Sequence, residues 1–175
     1  MVLSDDETER VLQEECPGPP DLESALSDET LSGAISHPPL VMDAKASLVE
    51  VLRCMREADR GAVLVVSDGK LVGIFTERDV LLRVAGNAID LEQATVGEFM
   101  TCEPLTLPAD ASVAFALNKM LVEGFRHIPV VDEQGKPTAV VSMRDLIEYL
   151  SGFFNRDVLN LPPDPRPSFR HRDGA

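Results

Sequence analysis

The sequence predicts an α/β (α+β) protein assembled from two related β-α-β-β-α units. Two observations carry this. The segment Gly73-Ile74-Phe75-Thr76-Glu77-Arg78-Asp79 returns 66 residues later as Ala139-Val140-Val141-Ser142-Met143-Arg144-Asp145. Around it, apolar β-branched runs alternate with stretches of helical periodicity, in the same order in each half.

The match extends outside that motif. At an offset of 65, Pro39 and Leu40 match Pro104 and Leu105, and Ala46 and Ser47 match Ala111 and Ser112. Leu52, Met55, Val65 and Val66 match Leu117, Met120, Val130 and Val131. The offset grows by one where Asp68-Gly69-Lys70 becomes Glu133-Gln134-Gly135-Lys136, a turn that tolerates an insertion. Each copy alone is near the size at which a core is marginal, so the two halves are expected to pack together and share one. The boundaries implied are an acidic tail over 1–29, a first repeat over 30–90, a second over 91–155 and a Pro-rich tail over 156–175.

In the first copy, Leu40 to Met42 reads as a short strand. Ser47 and Glu50 have the spacing of a capping box. Leu48, Val51, Leu52 and Met55 then lie on one helical face. Ala62 to Val66 reads as a buried strand, Ser67 to Lys70 as a turn, and Leu71 to Phe75 as the next strand. Thr76 opens a helix to about Val84. The second copy gives strands over Leu105 to Leu107, Ile128 to Val131 and Thr138 to Val141. Val113, Ala116, Leu117 and Met120 form the face of its first helix, and a second helix runs from Asp145 to about Phe154. A short linker helix is expected around Val96, Phe99 and Met100.

Charge and composition exclude several functions. The net charge of -14 disfavours a nucleic-acid surface, which needs clustered Lys and Arg. Residues 1–30 hold ten acidic residues and one basic one, Arg10. That run reads as a solvated tail or as an arm for a basic partner. Its apolar positions, Val11, Leu12, Leu22, Ala25 and Leu26, could form short amphipathic helices. No stretch approaches a membrane span, and Met1 to Arg10 has no apolar signal region, so a cytoplasmic protein with no membrane partner is expected. The three cysteines, Cys16, Cys54 and Cys102, show no CxxC spacing and read as reduced thiols. His37, His127 and His171 lack ligand spacing, so no metal site is expected. No nucleophile elbow or P-loop pattern is present, and no catalytic activity is expected.

Thr76-x-x-Asp79 and Ser142-x-x-Asp145 have two readings. Hydroxyl at the N-cap and acid three residues on is a helix cap. The same pair at a strand-to-helix junction can grip a ribose, whose hydroxyls donate to a carboxylate. Both copies also place an arginine between hydroxyl and acid, at Arg78 and Arg144. With the helix N-terminus, it offers positive potential to a phosphate.

These motifs, with Phe125-Arg126-His127-Ile128-Pro129-Val130-Val131-Asp132, resemble the tandem cystathionine β-synthase (CBS) domain pair called a Bateman module. The similarity covers about residues 30–154. It implies two repeats packed sheet to sheet about a pseudo-twofold axis, leaving two clefts. Many members bind adenosine-containing ligands there, such as AMP, ADP or ATP, and many form homodimers. Asp79 and Asp145 would hold ribose, and Thr76 and Ser142 would lie near ribose and phosphate. Arg126 and His127 would face phosphate in the Asp145 cleft, with Gly61 and Ala62 on its opposite wall. The Asp79 cleft would rely on Arg78 and Arg60, which makes the Asp145 cleft the tighter one for charged nucleotides. Ala139 departs from the glycine at Gly73, which would narrow the approach to a ligand. The implied function is regulatory: a nucleotide-responsive module read by a partner protein. The alternatives are a ligand-independent scaffold, or a sensor of S-adenosylmethionine or a dinucleotide. Phe153 and Phe154 mark an apolar end that a second copy would cover.

Overall fold

The structure, a computed structural model, describes residues 29–35 and 37–153. The amphipathic positions of the acidic arm, Phe154 and the Pro-rich tail lie outside the described residues, as do Cys16 and His171.

The first repeat forms β1 (Val41–Asp43), α2 (Leu48–Ala58), β2 (Ala62–Ser67), β3 (Lys70–Thr76) and a short helix α3 (Glu77–Asp79), preceded by α1 (Leu31–Ala34). The second contributes α4 (Val96–Phe99), β4 (Thr101–Cys102), α5 (Val113–Glu123), β5 (His127–Val131), β6 (Pro137–Ser142) and α6 (Met143–Phe153). Helix α2 starts where the capping box predicts: Ser47 Oγ accepts from Glu50 N, and the Glu50 carboxylate accepts from Ser47 N. Helix α5 is capped by Ser112 and ends at Gly124, whose φ of 74° is the left-handed conformation glycine adopts without penalty.

After α3 the chain does not continue as an α-helix. Val80–Val84 wind as a π-helix, whereas the second copy runs as regular helix from Met143 to Phe153. Helix α3 and this turn together occupy the stretch expected to be one helix.

Strands β1 to β4 make a four-stranded sheet in sequence order, with β1 parallel to β2 and the other pairs antiparallel. Strands β5 and β6 make a separate antiparallel pair. The ladders bulge at equivalent places, between Val65 and Val66 and between Val130 and Val131, so the duplication extends to the irregularities.

The expected strand over Leu105 to Leu107 is reduced to one parallel bridge, Leu107 with Val130. The reason lies in the partner strand. In the first repeat Leu64 N donates to Leu40 O at 2.8 Å. Pro129 stands at the position of Leu64 and has no N–H, so the ladder loses that bond.

The two cores are exchanged. Val96 of α4 is fully buried with Leu48, Val51, Val63, Val65 and Phe75 of the first repeat. Leu31 and Ala34 of α1 are buried with Val113, Ala116, Met120, Ile128 and Leu146 of the second. The same backbone bonds fix both exchanges. Val96 N donates to Ala46 O, and Leu31 N to Ala111 O, each at 2.9 Å. Bridges Ser47 to Thr95 and Thr30 to Ser112 repeat the equivalence. Each repeat therefore completes its core with the helix that leads into the other one. Ala62, Leu64 and Ile74 turn the opposite face of the first sheet toward Val140 of β6, which forms the contact between sheets.

Strand β4 crosses as well, pairing Cys102 with Gly73 and Thr101 with Ile74. A β-carbon on Gly73 would collide with the Met100 side chain and stand 3.0 Å from Thr101 O. Glycine is thus needed where another backbone approaches closely.

Candidate functional site

Both hydroxyl-aspartate motifs sit at the end of a strand and the start of a helix. Thr76 N and Oγ1 each donate to Asp79 Oδ2 at 2.9 Å. Ser142 N and Oγ donate to Asp145 Oδ2 at 2.8 and 2.7 Å, and Asp145 N donates back to Ser142 Oγ at 3.1 Å. The capping geometry is thus present in both copies, and it consumes only one carboxylate oxygen.

The second oxygen separates the copies. Asp79 is buried, and its Oδ1 accepts from Thr101 Oγ1 at 3.3 Å and pairs with Arg83 Nε at 3.6 Å. Arg83 is also fixed, donating to Phe99 O and Met100 O at 2.8 and 2.7 Å. At Arg83's place the second copy has Tyr149, whose hydroxyl instead hydrogen-bonds the Glu29 carboxylate, and that bond pushes the hydroxyl's pKa up. Asp145 is half-buried, and its Oδ1 accepts from none of the described residues. An acceptor is therefore left open beside a satisfied cap.

Two cavities face these motifs, of about 440 Å³ at Asp79 and about 600 Å³ at Asp145. Thr76, Arg78 and Asp79 line the first. Ala62, Ser142, Arg144 and Asp145 line the second. Gly61, Arg126 and His127 line both. The arrangement differs from the expectation at two points. Arg126 and His127 serve the Asp79 cavity as well, because β5 starts where the two repeats meet. Arg60 lies on the Asp145 cavity instead of the Asp79 cavity. Ala139 and Gly73 line neither cavity, so their difference reflects the packing of Met100 and β4.

Sequence reasoning missed Arg83 and Glu77. Arg83 lies four residues after Asp79, an ion-pair spacing on a helix. Glu77 lines both cavities, where the second copy has Met143. Its N–H donates to Gly61 O at 3.1 Å, and Met143 N makes the equivalent bond to Arg126 O at 2.9 Å.

His127 has its pKa lowered, first by burial and then by the Arg126 charge, with Glu77 and Asp145 opposing. The imidazole is thus held neutral near pH 7. The unfolded chain binds this proton more readily, so folding stability falls as pH drops below the ordinary histidine value of 6.5. We expect His127→Gln to flatten the loss of melting temperature between pH 7 and pH 5. An unchanged pH slope would remove His127 as its source.

Among the described residues, no cluster of His, Cys, Asp and Glu could hold a metal ion, and no helix is long and apolar enough to cross a membrane. Cys54 and Cys102 are free thiols.

Duplicated strand-helix junctions facing paired cavities define a two-repeat module with clefts of small-molecule size. The family model of the CBS domain matches residues 31–86 and 96–152, and the chain belongs to the CBS domain family as a tandem pair. It is 34% identical over 111 residues to an uncharacterized 17.7 kDa protein of Acidianus ambivalens, covering 63% of this chain and 66% of that one. It is 36% identical over 89 residues to the Arabidopsis thaliana CBS domain-containing protein CBSCBSPB5, covering 51% of this chain and 16% of the relative. The chain thus spans less than two thirds of the length of these relatives.

Among solved structures, the CBS domain pair of protein MJ0100, in complex with 5-methylthioadenosine and S-adenosyl-L-methionine, is 26% identical with a TM-score of 0.64, covering 71% of this chain and 97% of that one. The CBS domain protein PAE2072 of Pyrobaculum aerophilum, complexed with AMP, is 25% identical with a TM-score of 0.63, covering 73% and 99%.

Proposed function

We propose that this CBS pair is a non-catalytic, cytoplasmic regulatory module. It binds adenine nucleotides (AMP, ADP or ATP) in its two clefts and transmits the occupancy to a partner protein. The observation that carries the reading is the open Oδ1 of Asp145, in a cavity that Arg60, Arg126 and Arg144 also line. A ribose diol would donate to that carboxylate, and the guanidinium groups would face the phosphate. Asp79, with Thr76 and Arg78, would do the same in the smaller cavity, but its carboxylate is already engaged. The Asp145 cleft is therefore the tighter one. The AMP and S-adenosylmethionine complexes of the similar structures support an adenosyl ligand of one kind or the other.

Calorimetric titration with AMP, ADP, ATP and S-adenosylmethionine tests this. Heat and a thermal shift with at least one adenine nucleotide are expected. A response to S-adenosylmethionine alone would assign the sulfonium ligand instead. Silence with all four would leave a scaffold or oligomerisation module.

The module also acts as a homodimer in this reading. Leu81 and Ile147 occupy equivalent places after the two motifs and are 70% and 58% exposed. Apolar residues paired in this way across the pseudo-twofold form a surface that a second copy would bury. Light scattering after size exclusion should give twice the chain mass. A monomer at high micromolar concentration would remove the dimer.

A further inference from the structure

Gly61, Glu77, Arg126 and His127 line both cavities, so the clefts are separated by one shared wall. The wall is thin. A β-carbon at Gly61 would stand 3.2 Å from Glu77 Oε2 and 3.6 Å from His127 Cε1, so a first-repeat loop and a second-repeat strand touch there. Each cleft has an arginine of its own from the motif, Arg78 on one side and Arg144 on the other. Arg83 adds a second to the Asp79 cleft, where it is already paired with the Asp79 carboxylate, and Arg60 adds one to the Asp145 cleft; of the guanidinium groups lining the cavities, Arg126 is the one common to both. The Glu77 carboxylate lines both cavities with it.

We propose that the two clefts form one electrostatically coupled double site, in which a phosphorylated ligand in either cleft weakens the binding of a phosphorylated ligand in the other. This rests on the nucleotide reading above and adds a regulation to it. The first phosphate takes the Arg126 charge and leaves the wall carrying Glu77 and its own negative charge. The second phosphate then meets a wall whose positive charge is already taken, in a site partly shielded from water where charges interact more strongly than in bulk. The coupling is reciprocal, as linkage requires. An uncharged nucleoside uses the ribose carboxylate but adds no charge to the wall, so it binds both clefts independently. The module would thus grade its response to phosphorylated ligand over a wide concentration range.

The test compares AMP with adenosine by calorimetry, on the wild type and on Asp145→Asn, which disables the Asp145 cleft and leaves the Asp79 cleft alone. Coupling predicts that the second AMP binds the wild type about tenfold more weakly than AMP binds Asp145→Asn. It also predicts that this gap narrows as salt rises. Adenosine should show no gap. If Asp145→Asn does not fold, Ser142→Ala weakens the same cleft. A second AMP step equal to the single-cleft affinity would overturn the coupling and leave the nucleotide reading standing. No heat with either AMP or adenosine would overturn both.

Discussion

Asp145→Ala should weaken nucleotide binding at the tight site by roughly a hundredfold. Oδ2 of this residue is spent on Ser142 N and Oγ, while Oδ1 has no donor among the described residues. A ribose can supply its hydroxyl donors to that atom. Hydrogen bonds to a charged acceptor contribute about 1.5–3 kcal/mol each, and about 1.4 kcal/mol is a factor of ten in affinity. Losing one strong or two weaker bonds gives the stated factor. The cost to stability should be small, on the order of 1 kcal/mol, because only the capping interaction is removed.

Asp79→Ala should behave in the opposite way. Its carboxylate is buried and holds Thr76, Thr101 and Arg83. Removing it strips partners from groups at the junction between repeats, so stability falls more while the tight nucleotide site persists. Titration and thermal melting of both variants separate the two effects. If Asp79→Ala abolished tight binding and Asp145→Ala preserved it, the order of the clefts would be reversed.

The hydroxyl-aspartate motif was legible because the sequence prints it twice. The cap uses one oxygen of each carboxylate, and the proposed ribose grip would use the other. Which oxygen is free depends on residues far away in sequence, such as Thr101, 22 residues from Asp79. No local pattern carries that information. The repeat unit was likewise readable from Ser47 with Glu50, from the apolar run of β2 and from the turns. The strand at Leu105 failed because its absence is decided by Pro129, in the strand it would have joined. The shared wall was missed because matching positions one repeat at a time assigns Arg126 and His127 to a single cleft. Their actual place depends on the starts of β2 and β5 meeting, which is a property of the assembled pair.

The exchanged cores were hidden for the same reason, and they lead to the second large effect. Leu31 precedes the first repeat's own strands, yet its side chain is fully buried among Val113, Ala116, Met120 and Ile128. Leu31→Ala removes buried methyl groups from a packed site, which costs about 2–5 kcal/mol according to how far the neighbours collapse. For a chain of this size each kcal/mol is worth roughly 2–4 °C in melting temperature, so a fall on the order of 10 °C is expected. The location of the damage is the sharper test. Helix α1 is tied to the second repeat by Leu31 N to Ala111 O and Ser32 N to Ala109 O, both 2.9 Å. Amide exchange should therefore accelerate first in β5, β6 and α5, although the substitution lies at the start of the first repeat. Val96→Ala should do the reverse and loosen β2 and β3, since Val96 is buried with Val63, Val65 and Phe75. Faster exchange in β2 and β3 on changing Leu31 would contradict the exchange of helices. Reciprocal loosening would mean that neither repeat completes its core alone, so a strain introduced in one half reaches the other through packed side chains, the kind of coupling a two-cleft sensor requires.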